Sequence, residues 1–194
     1  MYGPILNIHG YRGSSRNSLY TALTDTGYEV YTVDLDYDKS HPTEIMSGLS
    51  HIIEKVDVRG IAGTSLGGFF ALCCSAKYQL PALLVNPATT PELILPTLGY
   101  KNIAAPRSFL KVRAVLGDYN PGLITAIIGK DDEVITDEAI KKYTRAILNS
   151  RRTISVPGGH SGSTLPLTEL LLNSELLKEG KWLDVKDSLD DTLS

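Results

Sequence analysis

The sequence predicts a three-layer α/β fold, with a minimal, mainly parallel six-stranded sheet between two layers of helices. Six short apolar runs recur along the chain, helix-length segments separate most of them, and the runs are continuously apolar instead of alternating. Strands buried on both faces read this way, and parallel neighbours need right-handed crossovers of about this length. At 194 residues, 42% hydrophobic and with 17 glycines, the chain has the size and composition of a single domain over residues 1–194. No internal repeat or low-complexity linker divides it.

Ile5 to Ile8 forms the first strand, closing at His9-Gly10, and a helix follows over about residues 15–26. Tyr28 to Asp34 is β-rich and ends on acidic residues. The next helix, Pro42 to Val56, has Pro42 and Thr43 near its start and Ile45, Leu49, Ile52, Ile53 and Val56 at its apolar positions. Val58 to Ala62 is a short strand leading into Gly63-Thr64-Ser65-Leu66-Gly67, and Gly68 to Tyr78 reads as a buried helix of small and apolar residues. Ala82 to Asn86, Leu123 to Gly129 and Arg152 to Val156 complete the strands; helices are expected at about 134–148 and 164–178. The regular spacing breaks at Pro87 to Gly122, a stretch with five prolines. It reads either as an irregular surface connection or as a small cap over the strand ends that shapes an acyl pocket. Leu183 to Ser194 is acidic and polar, the composition of a mobile or peripheral tail.

Charge and motifs exclude several functions. With 19 Lys and Arg against 22 Asp and Glu, the net charge of -3 provides no field to recruit nucleic acid or an anionic membrane. The ten tyrosines are dispersed instead of interleaved with a basic stretch. Cys73 and Cys74 are adjacent, which suits neither a disulfide framework nor a zinc site and reads as core packing in a helix. Gly60-x-x-Gly63 lacks dinucleotide-fingerprint spacing, and no phosphate-loop motif occurs. His41 near Asp34, Asp36 and Asp38 lacks a ligand pattern and reads as a loop histidine; His51 falls on a helix face. Neither cofactor nor metal is expected. The N-terminus shows no signal-peptide pattern and no run is long enough to span a bilayer, so a cytoplasmic protein is expected. Its oligomeric state is not indicated.

The chemistry gathers at strand ends. Gly63-Thr64-Ser65-Leu66-Gly67 fits G-x-S-x-G at a strand-to-helix turn, where flanking glycines let a strained serine project its hydroxyl. Ser65 is the candidate nucleophile, set against the plainer role of capping the following helix. A serine needs a base, and His160 lies in Pro157-Gly158-Gly159-His160-Ser161-Gly162-Ser163, just beyond a strand, where small residues permit close approach; the competing reading is an ordinary turn histidine. A carboxylate must orient that base, and Asp131, Asp132 and Glu133 follow an earlier strand. Asp132 is preferred, Asp131 is the runner-up, Glu133 is less favoured, and all three could instead form a solvated turn. For the oxyanion, the backbone N–H groups of Leu66 and Tyr11 are the candidate donors, with His9-Gly10 shaping the approach and His9 itself structural.

In this order, residues 5–10, Ser65 in GTSLG, Asp132 in GKDDEV and His160 in GGHSGS resemble the corresponding elements of the α/β-hydrolase superfamily over almost the whole chain. The short length, the His-Gly-aromatic opening and Asn86-Pro87-Ala88 are similar, more narrowly, to the small bacterial YqiA/YcfP esterase family, UPF0227. That resemblance implies hydrolysis of simple carboxylic esters. It supports Tyr11 in the oxyanion loop through HGY and Asp132 as histidine partner through DEV. The expected function is thus a serine hydrolase acting on a small or medium acyl ester through an acyl-enzyme. An acyl thioesterase and a noncatalytic binding or interaction module on the same scaffold are the alternatives. Since the first strand begins near residue 1 and the 87–122 excursion is modest, a shallow acyl site is expected over a large lipid tunnel.

Overall fold

The computed structural model describes residues 2–101 and 105–184. Its strands are β1 (Tyr2–Ile8), β2 (Tyr28–Val33), β3 (Gly60–Thr64), β4 (Ala82–Val85), β5 (Ile124–Gly129) and β6 (Thr153–Val156). They form one sheet in the order β2-β1-β3-β4-β5-β6, and every neighbouring pair is parallel. The helices are α1 (Ser18–Asp25), α2 (Pro42–Val56), α3 (Leu66–Tyr78), α4 (Pro91–Ile94), α5 (Ala105–Arg113), α6 (Glu138–Ile147) and α7 (Leu167–Asn173).

Side chains alternate across the strands, so the sheet feeds two cores. Leu6, Ile8, Ile61, Leu84 and Ala126 join the cluster that includes residues of α2, α3 and α5, whereas Ile5, Ala62, Leu83, Val85 and Ile127 join that of α1 and α7. Near the end of the described chain, Trp182 is fully buried in the second cluster and its Nε1–H donates to Tyr28 Oη at 3.0 Å. Leu183, at the start of the predicted tail, packs against the same cluster; residues 185–194 lie outside the described residues.

All six predicted strands and the helices between them are present, but hydrogen bonds move several boundaries. The third strand starts at Gly60, not Val58, and continues through Gly63 and Thr64 because β1 and β4 pair with it on both sides. The helix after it consequently starts at Leu66, immediately beyond Ser65. The α1 helix begins late because Asn17 caps it, its Oδ1 accepting from Tyr20 N–H at 2.9 Å. The predicted 134–148 helix loses its first turn: Asp137 caps α6, while the amides of Val134 and Ile135 donate to Asp132 Oδ1 at 2.9 and 2.8 Å. The predicted 164–178 helix narrows to Leu167–Asn173 after Pro166.

Within the 87–122 excursion, α4 and α5 pack on each other and α5 packs on α2. Phe109 is 1% exposed and meets Phe69 edge-on at 5.7 Å, while Arg113 pairs with Glu92. Much of this segment therefore thickens one helical layer instead of wandering over the surface. Among the described residues, no helix is long and apolar enough to cross a membrane.

Candidate active site

The chain departs from β1 toward β2 on one side and returns to place β3 on the other, so the carboxyl ends of β1 and β3 flank a topological switch point. Ser65 stands there with φ 54° and ψ -119°, a sparsely populated conformation for a residue bearing a side chain. Its backbone is held on both sides: Ser65 N–H donates to Val85 O at 2.9 Å, and Ser65 O accepts from Ala88 N–H at 2.9 Å and Phe69 N–H at 3.2 Å. The flanking glycines are required by contact. A Cβ on Gly67 would collide with the carbonyls of Ile8 and His9, and one on Gly63 with the backbone of Gly67.

Ser65 Oγ lies 2.8 Å from His160 Nε2, and His160 Nδ1 lies 2.8 Å from Asp132 Oδ2. An ionised carboxylate can only accept, so Nδ1 carries the proton, Nε2 is an acceptor, and the Ser65 hydroxyl donates to it. The side chains of His160 and Asp132 are only 11% and 10% exposed, which shields both bonds from water. Burial acts to raise the Asp132 carboxyl, but the bonds from His160 and from the Ile135 and Val134 amides outweigh it and hold it below its ordinary value of 3.8.

All three acidic residues after β5 hold the histidine loop, each at a different point. Asp131 Oδ2 accepts from Gly158 N–H at 3.0 Å, Asp132 meets the imidazole, and Glu133 Oε2 accepts from His160 N–H at 2.9 Å. Glu133 is held below its ordinary value of 4.5, chiefly by that His160 amide and then by its own. Of the three, Asp132 is the one whose carboxylate faces the ring. The sequence reading did not foresee the work of its two neighbours.

It also missed Asn86 as a structural tie. Asn86 is 1% exposed and sits at φ 43° just past β4, a left-handed conformation that asparagine adopts more readily than most residues. Its Nδ2 donates to Gly159 O at 3.0 Å and His160 O at 2.9 Å, and its Oδ1 accepts from Gly129 N–H at 2.7 Å. One amide thereby joins the ends of β4 and β5 to the histidine loop. An Asn between a strand and a proline was the available signal, but its reach across more than 70 residues was not in the sequence.

On the other side of Ser65, Gly10 packs so closely that a Cβ there would meet Ser65 Cβ and Thr64 O. No acceptor meets the backbone N–H of Leu66 or Tyr11 among the described residues, which leaves both candidate oxyanion donors uncommitted. Tyr11 is anchored through its hydroxyl, which donates to Asp38 Oδ1 at 2.9 Å, and its ring meets Tyr100 edge-on. His9 is 2% exposed; its Nε2 accepts from Leu35 N–H at 2.9 Å, so Nδ1 carries the proton and donates to Gly10 O at 2.8 Å. Tyr37 Oη adds a bond to His9 O at 2.5 Å. His9 is thus a neutral brace for the loop, as expected of a structural histidine.

A cleft of about 320 Å³ opens at Ser65 and His160, with Leu19 and Val134 as apolar walls and Arg12, Ser18 and Ser161 as polar ones. The excursion touches this site through Ala88, whose N–H donates to Ser65 O, and through Tyr100 against Tyr11, but none of residues 87–122 lines the cleft among those described. His41, at the N-cap of α2, places Nε2 at 2.8 Å from Ser108 Oγ and so links the start of α2 to α5. Among the described residues, no group of three or more His, Cys, Asp or Glu side chains is arranged to hold a metal ion.

Solved structures similar to this chain share its architecture at low sequence identity. A metagenome-derived lipolytic enzyme from a study of LipS and LipT aligns with a TM-score of 0.62 at 15% identity, covering 87% of this chain and 89% of that one. A putative α/β-superfamily hydrolase of Xanthomonas campestris pv. campestris gives 0.56 at 20% identity, covering 81% and 87%. The monoacylglycerol lipase of Paleococcus ferrophilus gives 0.56 at 14%, covering 82% and 85%. These likenesses establish the α/β-hydrolase fold. The family model that matches the sequence itself spans residues 4–149, and by that match the chain belongs to the uncharacterised protein family UPF0227.

Proposed function

We propose that this protein is a serine hydrolase that cleaves small or medium acyl carboxylic esters through an acyl-enzyme. The observation that supports this most strongly is the unbroken Ser65–His160–Asp132 relay, with both bonds at 2.8 Å, behind an elbow that strains Ser65 toward an open cleft. In this reading Ser65 Oγ attacks the ester carbonyl while His160 Nε2 takes its proton. The carbonyl oxygen becomes an oxyanion facing the uncommitted N–H groups of Leu66 and Tyr11. As the tetrahedral species collapses, His160 gives the proton to the departing alkoxide, and the acyl group remains on Ser65. Water then repeats the sequence: His160 takes its proton, the acid leaves, and Ser65 recovers its hydrogen. Asp132 stays ionised throughout and stabilises the imidazolium.

The cleft supports the substrate size. About 320 Å³ is at the lower end for small-molecule sites, and its mixed walls suit a short or medium acyl group. Fold neighbours named as a lipolytic enzyme and a monoacylglycerol lipase agree with ester hydrolysis. The test is labelling with a fluorophosphonate, alongside turnover of ester and thioester panels of increasing chain length, in wild type, Ser65→Ala and His160→Ala. Labelling at Ser65, with turnover lowered by about 10³-fold or more in both variants, is expected. A thioester preference would reassign the leaving group while retaining the relay. A folded wild type that neither labels nor turns over any panel member would leave a binding scaffold.

A further inference from the structure

A second cleft, away from Ser65, takes no direct part in attack there. It has a volume of about 560 Å³, against about 320 Å³ at Ser65, and the two share no lining residue. It opens between α6 and the edge of the sheet at β5 and β6. Its origin is the way α6 sits. Ile140 and Ile147 pack toward separate apolar clusters, and Thr144 Oγ1 lies 2.6 Å from Thr89 Oγ1, so the helix is anchored along one side. Glu138, Lys141, Arg145 and Leu148, at helical spacing, form a wall of the cleft, facing β-sheet residues that include Ile128 and Ser155.

Two features select the ligand. Ile128, Ile135 and Leu148 make the cleft largely apolar, so it accommodates hydrocarbon. Along the wall, Lys141 and Arg145 share a single carboxylate, Glu138, at 3.1 and 3.4 Å. One cationic charge is therefore left over at that wall. The remaining charged residues of the lining, Lys130 and Asp132, offset each other, so the cleft as a whole carries one excess positive charge. An apolar floor under an excess positive charge complements an amphiphile with one anionic head, and the volume falls within the range of small-molecule sites.

We propose that this cleft is a second binding site, for a linear alkyl carboxylate whose head group sits at Lys141 and Arg145 and whose chain lies on Ile128, Ile135 and Leu148. Its lining also includes Asp132 and Asn86, so an occupant borders two residues that hold His160. The acid released in the proposed reaction belongs to this ligand class, but the site does not depend on that reaction.

The experiment is calorimetric titration of decanoate, below its micelle concentration, into the full Ser65→Ala chain, which binds ligand without turnover. Saturable binding is expected, weakened about tenfold or more in the Lys141→Gln/Arg145→Gln double variant and in Ser155→Trp, which fills the cleft from an exposed strand position. Circular dichroism checks that both variants remain folded. Decanol should bind at least about tenfold more weakly, since it lacks the charge. Wild type labelled at Ser65 by a fluorophosphonate should still bind decanoate. The proposal is overturned by absent saturation, by equal affinity for decanol, by affinity unchanged in both folded variants, or by loss of binding after labelling. Because binding is read without turnover, its failure is distinct from failure of the hydrolase reading.

Discussion

Replacing Asn86 with Ala tests whether one buried amide holds the histidine loop in place. The substitution removes three hydrogen bonds and leaves the Gly129 amide without its 2.7 Å partner. At about 1 kcal/mol net per bond, that amounts to about 3 kcal/mol. Alanine must also adopt φ 43°, which adds about 1 kcal/mol and brings the expected loss to about 4 kcal/mol. For a domain whose whole stability is of order 5–15 kcal/mol, this is a large fraction. Urea unfolding measures it, and the rate of fluorophosphonate labelling measures the displacement of His160 from Ser65. Asn86→Gly separates the causes, since glycine loses the bonds but not the backbone preference, and it should recover about 1 kcal/mol relative to Ala. Asn86→Asp retains an acceptor for Gly129 while directing a carboxylate oxygen at the carbonyls of Gly159 and His160, so it should also slow labelling. A loss below about 1 kcal/mol in Asn86→Ala, with labelling at the wild-type rate, would refute the reasoning.

Asp132→Asn should retain acceptors for the Val134 and Ile135 amides but present N–H to His160 Nδ1, favouring the tautomer with Nε2 protonated; kcat should fall by about 10⁴-fold while substrate KM changes little, as steady-state kinetics would read. Asp131→Asn and Glu133→Gln, whose carboxylates meet only loop amides, should cost less than Asp132→Asn in the same assay. Gly67→Ala drives a methyl into the carbonyls of Ile8 and His9, and thermal melting should show destabilisation along with slower labelling at Ser65. Because the Asp132 carboxyl titrates below 3.8 in the folded chain, its ionised form contributes stability above the unfolded value, and that contribution is lost as pH falls through the lower folded value. The urea-midpoint advantage of wild type over Asp132→Asn should therefore be present at neutral pH and shrink as pH falls below 3.8.

Sequence alone determined the layer architecture, because continuously apolar strands and amphipathic or buried helices are local patterns dictated by which surfaces must leave water. It also singled out Ser65, Asp132 and His160 as candidates, because an elbow with flanking glycines, a strand-end acid and a glycine-loop histidine each carry a local signature. Boundaries were less legible, since β3 ends where ladder bonds to β1 and β4 end, not where apolar residues stop. The start of α6 was hidden for a related reason: Asp132 draws the Val134 and Ile135 amides into its own turn. Only the tertiary structure decided that Asp131, Asp132 and Glu133 divide the histidine loop among them, that Asn86 ties that loop to two strand ends, and that α6 leaves an open cleft beside the sheet. These are relations between segments distant in the chain, set by strand order and side-chain reach. Periodicity reports which face of a segment is buried, but not which remote group meets it there.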